Sequence, residues 1–172
     1  MAESMADLNY PIELDQAAIQ QVLPHRGDIL FTHRVTILAH NHYVGHVVWP
    51  GHLSIIQGHF PGMPVVPGVL LIEATAQVAG AGMLVGDPYA RSMGADHIGL
   101  LAGVRKCAFK RPVRPDEWVR VEVHSRQMSP TAASVTATLT VADDEVATIE
   151  ILAVNMPKQD VMSHLQSTAP QA

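Results

Sequence analysis

The segment from Gly58 to Gln77, GHFPGMPVVPGVLLIEATAQ, constrains the fold of this chain more than any other. Its second half begins a predicted helix that has Pro67 in its first turn and runs to about Leu84. This helix is apolar on nearly all sides. Proline suits a first turn, because the N–H that it lacks would have no helical acceptor there. A helix that is apolar all round has to be surrounded by other elements. The segment therefore predicts a long central helix inside a core.

The same apolar stretch, residues 65–85, has the length of a membrane-spanning helix. It contains Glu73, however, and a carboxylate in the middle of a bilayer is costly. We therefore expect a buried helix in a soluble protein and no membrane span. The N-terminal residues include acids and no basic or long apolar run, so we expect no signal peptide and a cytoplasmic location. Cys107 is the single cysteine, which excludes an intramolecular disulfide and a cysteine-based zinc site.

Segments rich in β-branched and aromatic residues lie on both sides of that helix in the sequence. Asp15 is a candidate N-cap for a short helix that ends near Leu23. Strands joined by short links have to be antiparallel neighbours. The strand candidates are 29–38, 43–49, 98–109, 118–127, 132–141 and 146–154. The pattern predicts an α+β fold in which a curved antiparallel β-sheet wraps the long central helix.

The composition indicates one domain and limits the kinds of partner. A chain with 48% hydrophobic and 16% charged residues suits a single globular core. We assign residues 1–11 to an N-terminal extension, 12–157 to the domain and 158–172 to a disordered tail. The formal net charge of −5 argues against a general nucleic-acid-binding protein.

Two residues of the central segment have the properties of an acid–base pair. His59 precedes Phe60-Pro61-Gly62, and a histidine on such a rigid loop can act as a placed base near neutral pH, although most loop histidines are simply exposed. Burial of Glu73 among apolar neighbours is expected to raise its pKa and keep it a neutral acid, unless a hydrogen bond or salt bridge satisfies it. Gln77, one turn later, either orients that acid or is an ordinary polar helix residue.

The start of the predicted helix offers a site for a carbonyl oxygen. The N–H groups of Gly68 and Val69 lie in the first turn, where they lack helical acceptors and point along the positive end of the helix dipole. They could stabilise an oxygen that becomes enolate-like, or Gly68 could merely relieve crowding. A base, N–H groups that donate to a carbonyl oxygen, and an acid together suit β-elimination of water from a 3-hydroxyacyl compound.

The central segment resembles the signature of the 3-hydroxyacyl-(acyl-carrier-protein) dehydratases of the FabZ type, which have the hot-dog fold. Two further segments resemble that family in the same order, and the resemblance spans roughly residues 12–156. They are Leu23-Pro24-His25-Arg26 and the stretch from Ala102-Gly103-Val104 to Phe109-Lys110-Arg111-Pro112-Val113-Arg114-Pro115.

The resemblance implies a role for each matched residue. His59 matches the catalytic histidine, Glu73 the catalytic carboxylate and Gly68 the glycine whose N–H polarises the thioester carbonyl. Phe60 and Gln77 lie in the same matched segment and are supporting candidates. In this family the two catalytic side chains of one site come from different subunits, which implies at least a homodimer, and a hexamer built as a trimer of dimers is common. Glutamate at position 73, where the isomerising branch has aspartate, favours dehydration without isomerisation. No cofactor or metal is implied.

The sequence leaves alternatives for the substrate and for the surface that binds the carrier protein. The chain departs from the family at Gly27-Asp28-Ile29 and His33-Arg34-Val35, which leaves fatty acid synthesis and a specialised polyketide or polyene pathway as alternatives. A cluster of cations could steer an acidic acyl carrier protein to the site, or could be ordinary strand and turn charges. Its members are Arg105, Lys106, Lys110, Arg111 and Arg114.

Three other functions compete with dehydration. A hot-dog thioesterase shares the helix and a carboxylate, but its relatives typically lack the loop that contains His59. A non-catalytic acyl-carrier-binding homologue would lose the acid or the base. A metal-binding protein could use His40, His42 and His46, but the sequence has no carboxylate or cysteine next to them, so we expect no metal site.

Overall fold

A computed structural model describes residues 8–167 of the chain. Its helices are α1 (Gln16–Val22), α2 (Ser54–His59), α3 (Gly68–Gly86), α4 (Pro88–Ser92) and α5 (Lys158–Ser167). Its strands are β1 (Ile12–Asp15), β2 (Thr32–Ala39), β3 (His42–Val47), β4 (His97–Phe109), β5 (Val119–Ser129), β6 (Ala132–Val141) and β7 (Asp144–Pro157). The strands form one seven-stranded antiparallel sheet in the order β1-β2-β3-β5-β6-β7-β4. The α+β architecture predicted from the sequence is therefore confirmed.

Helix α3 is the central helix and packs against strands β2, β3, β5 and β7. Helix α3 can approach strand β3 closely because a glycine of one element faces a larger side chain of the other at two places. A Cβ at Gly82 would lie 2.3 Å from Cγ of Tyr43, and a Cβ at Gly45 would lie 2.2 Å from a methyl group of Val78. Both Tyr43 and Val78 are fully buried. These contacts fix the rotation of α3 about its axis, and with it the direction in which each of its polar side chains points.

By length and composition alone α3 could cross a membrane, as its sequence suggested. Half of its apolar window is buried inside the fold, and α3 lies against five strands of the sheet, β4 included. Such burial is typical of a core helix. The predicted start at Pro67 is also close to the observed one, because Pro67 is the N-cap and the helix begins at Gly68.

One local prediction is confirmed here and three are corrected. The side chain of Asp15 caps α1 by accepting from the N–H of Ala18 at 2.8 Å. Strand β1 was missed, because four residues are too short for a clear alternation. His59 ends the short helix α2 rather than lying in a loop, and α4 interrupts the predicted loop 86–97.

The prediction of a disordered tail is wrong for residues 158–167, which form helix α5. The N–H of Lys158 donates to the carbonyl of Asp96 at 2.8 Å. The start of α5 is therefore held by a residue that is distant in sequence. Residues 168–172, and most of the predicted N-terminal extension, lie outside the described part of the chain.

Strand β4 is at one end of the sheet order and pairs with β7. Its apolar side chains are unusually exposed: Leu101, Val104 and Phe109 keep 45%, 46% and 51% of their surface. Val69, on the first turn of α3, is 66% exposed. An edge strand with apolar side chains is a favourable surface for a second chain.

Candidate active site

Helix α2 and the following turn hold His59 in a defined orientation. Its Nδ1 lies 3.2 Å from the carbonyl oxygen of Val65, and its ring stacks on Phe60 with centroids 4.0 Å apart. A carbonyl oxygen only accepts hydrogen bonds, so Nδ1 carries the hydrogen in this contact. The neutral ring then has its lone pair on Nε2. His59 is half-buried and can present that nitrogen as a base.

Glu73 lies on α3, half-buried, with two donors directed at the same oxygen. Nε2 of Gln77 donates to Oε1 at 2.9 Å, and Nε2 of His25 lies 3.2 Å from Oε1. Neither contact uses Oε2. A carboxylic acid whose carbonyl oxygen is Oε1 can accept both bonds and still carry its proton on Oε2.

The direction of the Glu73 pKa differs from the sequence prediction. The hydrogen bond with His25 is the largest influence and lowers the pKa of the carboxyl below its ordinary value. Burial acts in the opposite direction, and the bond from Gln77 lowers the pKa further. The expectation of a raised pKa is therefore wrong for the single chain, and the alternative of a glutamate satisfied by hydrogen bonds is the one observed, with a donor from a distant part of the sequence.

Gln77 is held by four polar contacts and is 1% exposed. Its Oε1 accepts from the N–H of Phe31 and the hydroxyl of Thr32, both at 3.2 Å. Its Nε2 donates to the carbonyl of Ile29 at 2.6 Å as well as to Glu73. Gln77 therefore connects the acid rigidly to the segment that precedes β2.

His25 was noted in the sequence only within the Leu23-Pro24-His25-Arg26 match and was not singled out. The guanidinium of Arg26 fixes the turn around it by donating to the carbonyls of Leu23, His25 and Gln20 at 2.7, 2.6 and 2.7 Å. The turn places the imidazole of His25 against Glu73. Nδ1 of His25 is buried and has no hydrogen-bond partner within residues 8–167.

Gly68 is the first residue of α3, and the ring of Phe109 lies directly over it. A Cβ at this position would come within 2.7 Å of ring carbons of Phe109. This contact supports the crowding alternative, and the role of Gly68 towards a carbonyl oxygen stays a prediction. The N–H groups of Gly68 and Val69 remain at the helix start, where a carbonyl oxygen could reach them.

A cavity of about 480 Å³ is lined by Glu73, by His25 and by further residues of α3. Its walls are mainly apolar and include Ala76, Gly80, Met83 and Leu84 of α3 and Leu100 of β4. His59 is not among the described residues that line it. One chain therefore brings the acid to an apolar cavity without bringing the base there.

The five cations of the proposed carrier-protein surface do not form an uncompensated patch. Nζ of Lys110 lies 2.6 Å from a carboxylate oxygen of Glu145, and Nη1 of Arg111 lies 3.4 Å from Glu117. Lys106 is the register partner of Glu150 across β4 and β7. Arg105 and Arg114 are both exposed. Nearby acids thus reduce the positive field of four of the five residues, because Glu117 also lies beside Arg114.

Comparison with solved structures identifies the hot-dog fold. The dehydratase heterocomplex ApeI:P from Xenorhabdus doucetiae has a TM-score of 0.69 and 15% identity, with 92% of this chain and 99% of that chain covered. The fluoroacetyl-CoA thioesterase FlK has a TM-score of 0.64 and 12% identity, with 77% and 97% covered. At these identities the likeness concerns the fold alone.

Curated relatives are considerably more similar in sequence. The protein named 3-hydroxyacyl-[acyl-carrier-protein] dehydratase FabZ from Bacillus pumilus is 38% identical over 135 residues, which cover 78% of this chain and 90% of the relative. The protein of the same name from Desulforamulus reducens is 36% identical over 140 residues, which cover 81% and 95%. The model of the FabA-like domain matches residues 23–150. This chain belongs to the FabA-like family and, within it, is similar to the FabZ dehydratases.

Proposed function

We propose that the protein dehydrates 3-hydroxyacyl thioesters carried by acyl carrier protein to trans-2-enoyl thioesters. The observation that carries the proposal is the complementary pair of polar groups: Nε2 of His59 has a free lone pair, and Oε2 of Glu73 is left free by the donors on Oε1. The relatives that share most of the chain are named as dehydratases of this kind. The proposed setting is cytoplasmic fatty acid or polyketide-type synthesis.

The proposed reaction uses one proton acceptor and one proton donor. Nε2 of His59 removes the proton from the α-carbon, and the electron pair moves onto the thioester oxygen, which the N–H groups of Gly68 and Val69 stabilise. The enolate then expels the 3-hydroxyl group as the double bond forms. Oε2 of Glu73 donates a proton to that hydroxyl, so water leaves. The proton on His59 then returns to Glu73 through solvent and completes the cycle.

A second subunit completes the site in this proposal. Within one chain His59 does not line the cavity of Glu73, while Phe60, Val69 and Phe109 around the base and the helix start are exposed. A homodimer that covers these apolar side chains would bring His59 of the partner subunit to Glu73. It would also bury Glu73 more deeply, which raises the pKa of the acid towards the protonated form. A hexamer, as a trimer of such dimers, is the larger assembly that we propose.

We assign His25 a positioning role in the same reaction. Replacing His25 with phenylalanine is expected to lower kcat roughly 10- to 100-fold with little change in KM, because a hydrogen bond to a charged or ionisable partner contributes about 1.5–3 kcal/mol. Since that bond is the main influence that lowers the pKa of Glu73, its loss is expected to raise this pKa. The acid would then stay protonated to higher pH. The alkaline limb of the kcat/KM profile should therefore move to higher pH.

Glutamine at position 25 provides the matched variant. Its amide can still donate to Oε1 of Glu73, so it should recover part of kcat that phenylalanine loses. A purely structural role for His25 would change thermal stability and leave the alkaline limb in place. A variant with an unmoved alkaline limb and normal kcat would contradict the assignment.

The direct test of the proposed function is a dehydration assay. The protein is incubated with 3-hydroxyacyl thioesters of several chain lengths on acyl carrier protein, and the products are identified by mass spectrometry. Loss of one water to give the enoyl thioester is the expected result. Release of a free acid would instead identify a thioesterase, and unchanged substrate at every chain length would favour a carrier-binding homologue without activity.

A further inference from the structure

The sheet brings three possible metal ligands together on the face that points away from α3. His42 on β3 and His124 on β5 are direct register partners, and Glu122 is two residues before His124. Alternate residues of a strand share a face. The intervening Tyr43 and Val123 are fully buried on the α3 side, so the three polar residues lie on the outer face.

The distances between the three side chains are short. Nε2 of His42 lies 2.8 Å from Oε1 of Glu122, and the rings of His42 and His124 stack with centroids 4.2 Å apart. One ligand atom from each residue lies within 4.8 Å of the other two. Ligands that bind zinc at roughly 2.0–2.1 Å in a tetrahedron are separated by about 3.4 Å. His42 and Glu122, now hydrogen-bonded at 2.8 Å, therefore have to move slightly apart, and His124 has to adjust to the ion between them. His124 is exposed and can make that movement.

We propose that His42, Glu122 and His124 form a zinc site. Two imidazoles and one carboxylate are a ligand set that zinc accepts, and water can occupy the fourth position. The neighbouring Arg120 fits this arrangement, because its Nη1 lies 2.7 Å from Oε2 of Glu122 and leaves Oε1 as the single ligand atom. A partner that orients a ligating carboxylate in this way is a usual feature of metal sites. The positive charge of Arg120 also opposes the metal, so we expect reversible rather than permanent binding.

The proposed zinc site is separate from the candidate active site. A second cavity of about 290 Å³ adjoins it and is lined by Glu122, His124, Lys106 and Glu150, whereas the Glu73 cavity includes none of these residues. Neither His59 nor Glu73 contributes to the zinc site. Zinc binding is therefore independent of whether the protein is a dehydratase.

Strand pairing explains why this site differs from the metal-binding alternative that the sequence offered. That alternative grouped His42 with His40 and His46, and it lacked a carboxylate. The sheet places His46 opposite Arg120 instead, and it supplies Glu122 and His124 from a strand far along the chain. From the sequence we expected no metal site. The site proposed here uses only one of those three histidines, His42.

The test is a zinc titration of the full chain after treatment with a chelator. Calorimetry and competition with a chromophoric indicator are expected to give one saturable zinc equivalent per chain that does not need substrate. Replacement of zinc by Co²⁺ should give the visible absorption of a tetrahedral site. His124→Ala and Glu122→Gln are each expected to weaken zinc binding at least about 10-fold, since each removes a direct ligand.

His46→Ala is the matched control, because His46 is on β3 with His42 and faces Arg120 rather than the cluster. This variant should bind zinc as the unmodified chain does. Circular dichroism and thermal unfolding establish that each variant is folded, and zinc should raise the midpoint of the unmodified chain and of His46→Ala only. Absence of saturable binding, normal binding by His124→Ala, or an equal loss in His46→Ala would each overturn the proposal.

Discussion

His59→Ala is expected to reduce kcat for dehydration by about 10²–10⁴-fold, the usual contribution of a positioned general base. The hydrogen bond from Nδ1 to the carbonyl of Val65 leaves Nε2 as the base, and alanine supplies no alternative acceptor. Substrate binding should change much less, because the loss concerns a proton that moves only in the transition state. Steady-state kinetics with an acyl-carrier-protein substrate measures kcat and KM separately.

His52→Ala is the control for this variant. His52 is exposed and lies in the turn before α2, so its removal changes the histidine content of the region without touching the proposed base. It should retain the activity of the unmodified chain. Near-normal turnover in His59→Ala, with the fold intact, would remove His59 from the reaction.

Glu73→Gln is expected to lower kcat by a similar factor of roughly 10²–10⁴, because glutamine cannot donate the proton that converts the leaving hydroxyl to water. The substitution preserves the size of the side chain and an oxygen that can accept from His25 and Gln77. A loss of activity with unchanged thermal stability would therefore report the missing acid and not a collapsed site. Turnover close to that of the unmodified chain would show that Glu73 is not the acid.

Mixing the two inactive variants tests whether the site is shared between subunits. A dimer of one His59→Ala and one Glu73→Gln chain has one site with both residues intact and one with neither. Random reassembly makes about half of the dimers mixed, so activity should recover to about a quarter of the unmodified level. No recovery, with mixed dimers demonstrated by mass spectrometry, would place base and acid in the same chain.

Local sequence patterns were sufficient to predict the framework of the site. The all-apolar helix with Pro67 at its start, the cap at Asp15 and the short links between β5, β6 and β7 each depend on neighbouring residues only. The motif around His59 and Glu73 lies in one continuous segment, which is why both candidates could be named before the fold was known.

Features that depend on distant contacts could not be predicted in the same way. The contact of His25 with Glu73 reverses the expected direction of the shift in the pKa of Glu73. No local sequence pattern indicates that these two residues meet. The cluster of His42, Glu122 and His124 follows from the register of two strands that the whole of α3 separates in the chain. Burial can be inferred from composition, whereas a hydrogen-bond partner requires the tertiary structure.

The contacts of Gln77 with the segment before β2 bear on how this protein can evolve. Two of them use main-chain atoms, the carbonyl of Ile29 and the N–H of Phe31, which every non-proline residue provides. Substitutions at these positions therefore leave the support of Glu73 in place as long as the backbone path is kept. The sequence there can diverge while the position of the acid is inherited unchanged.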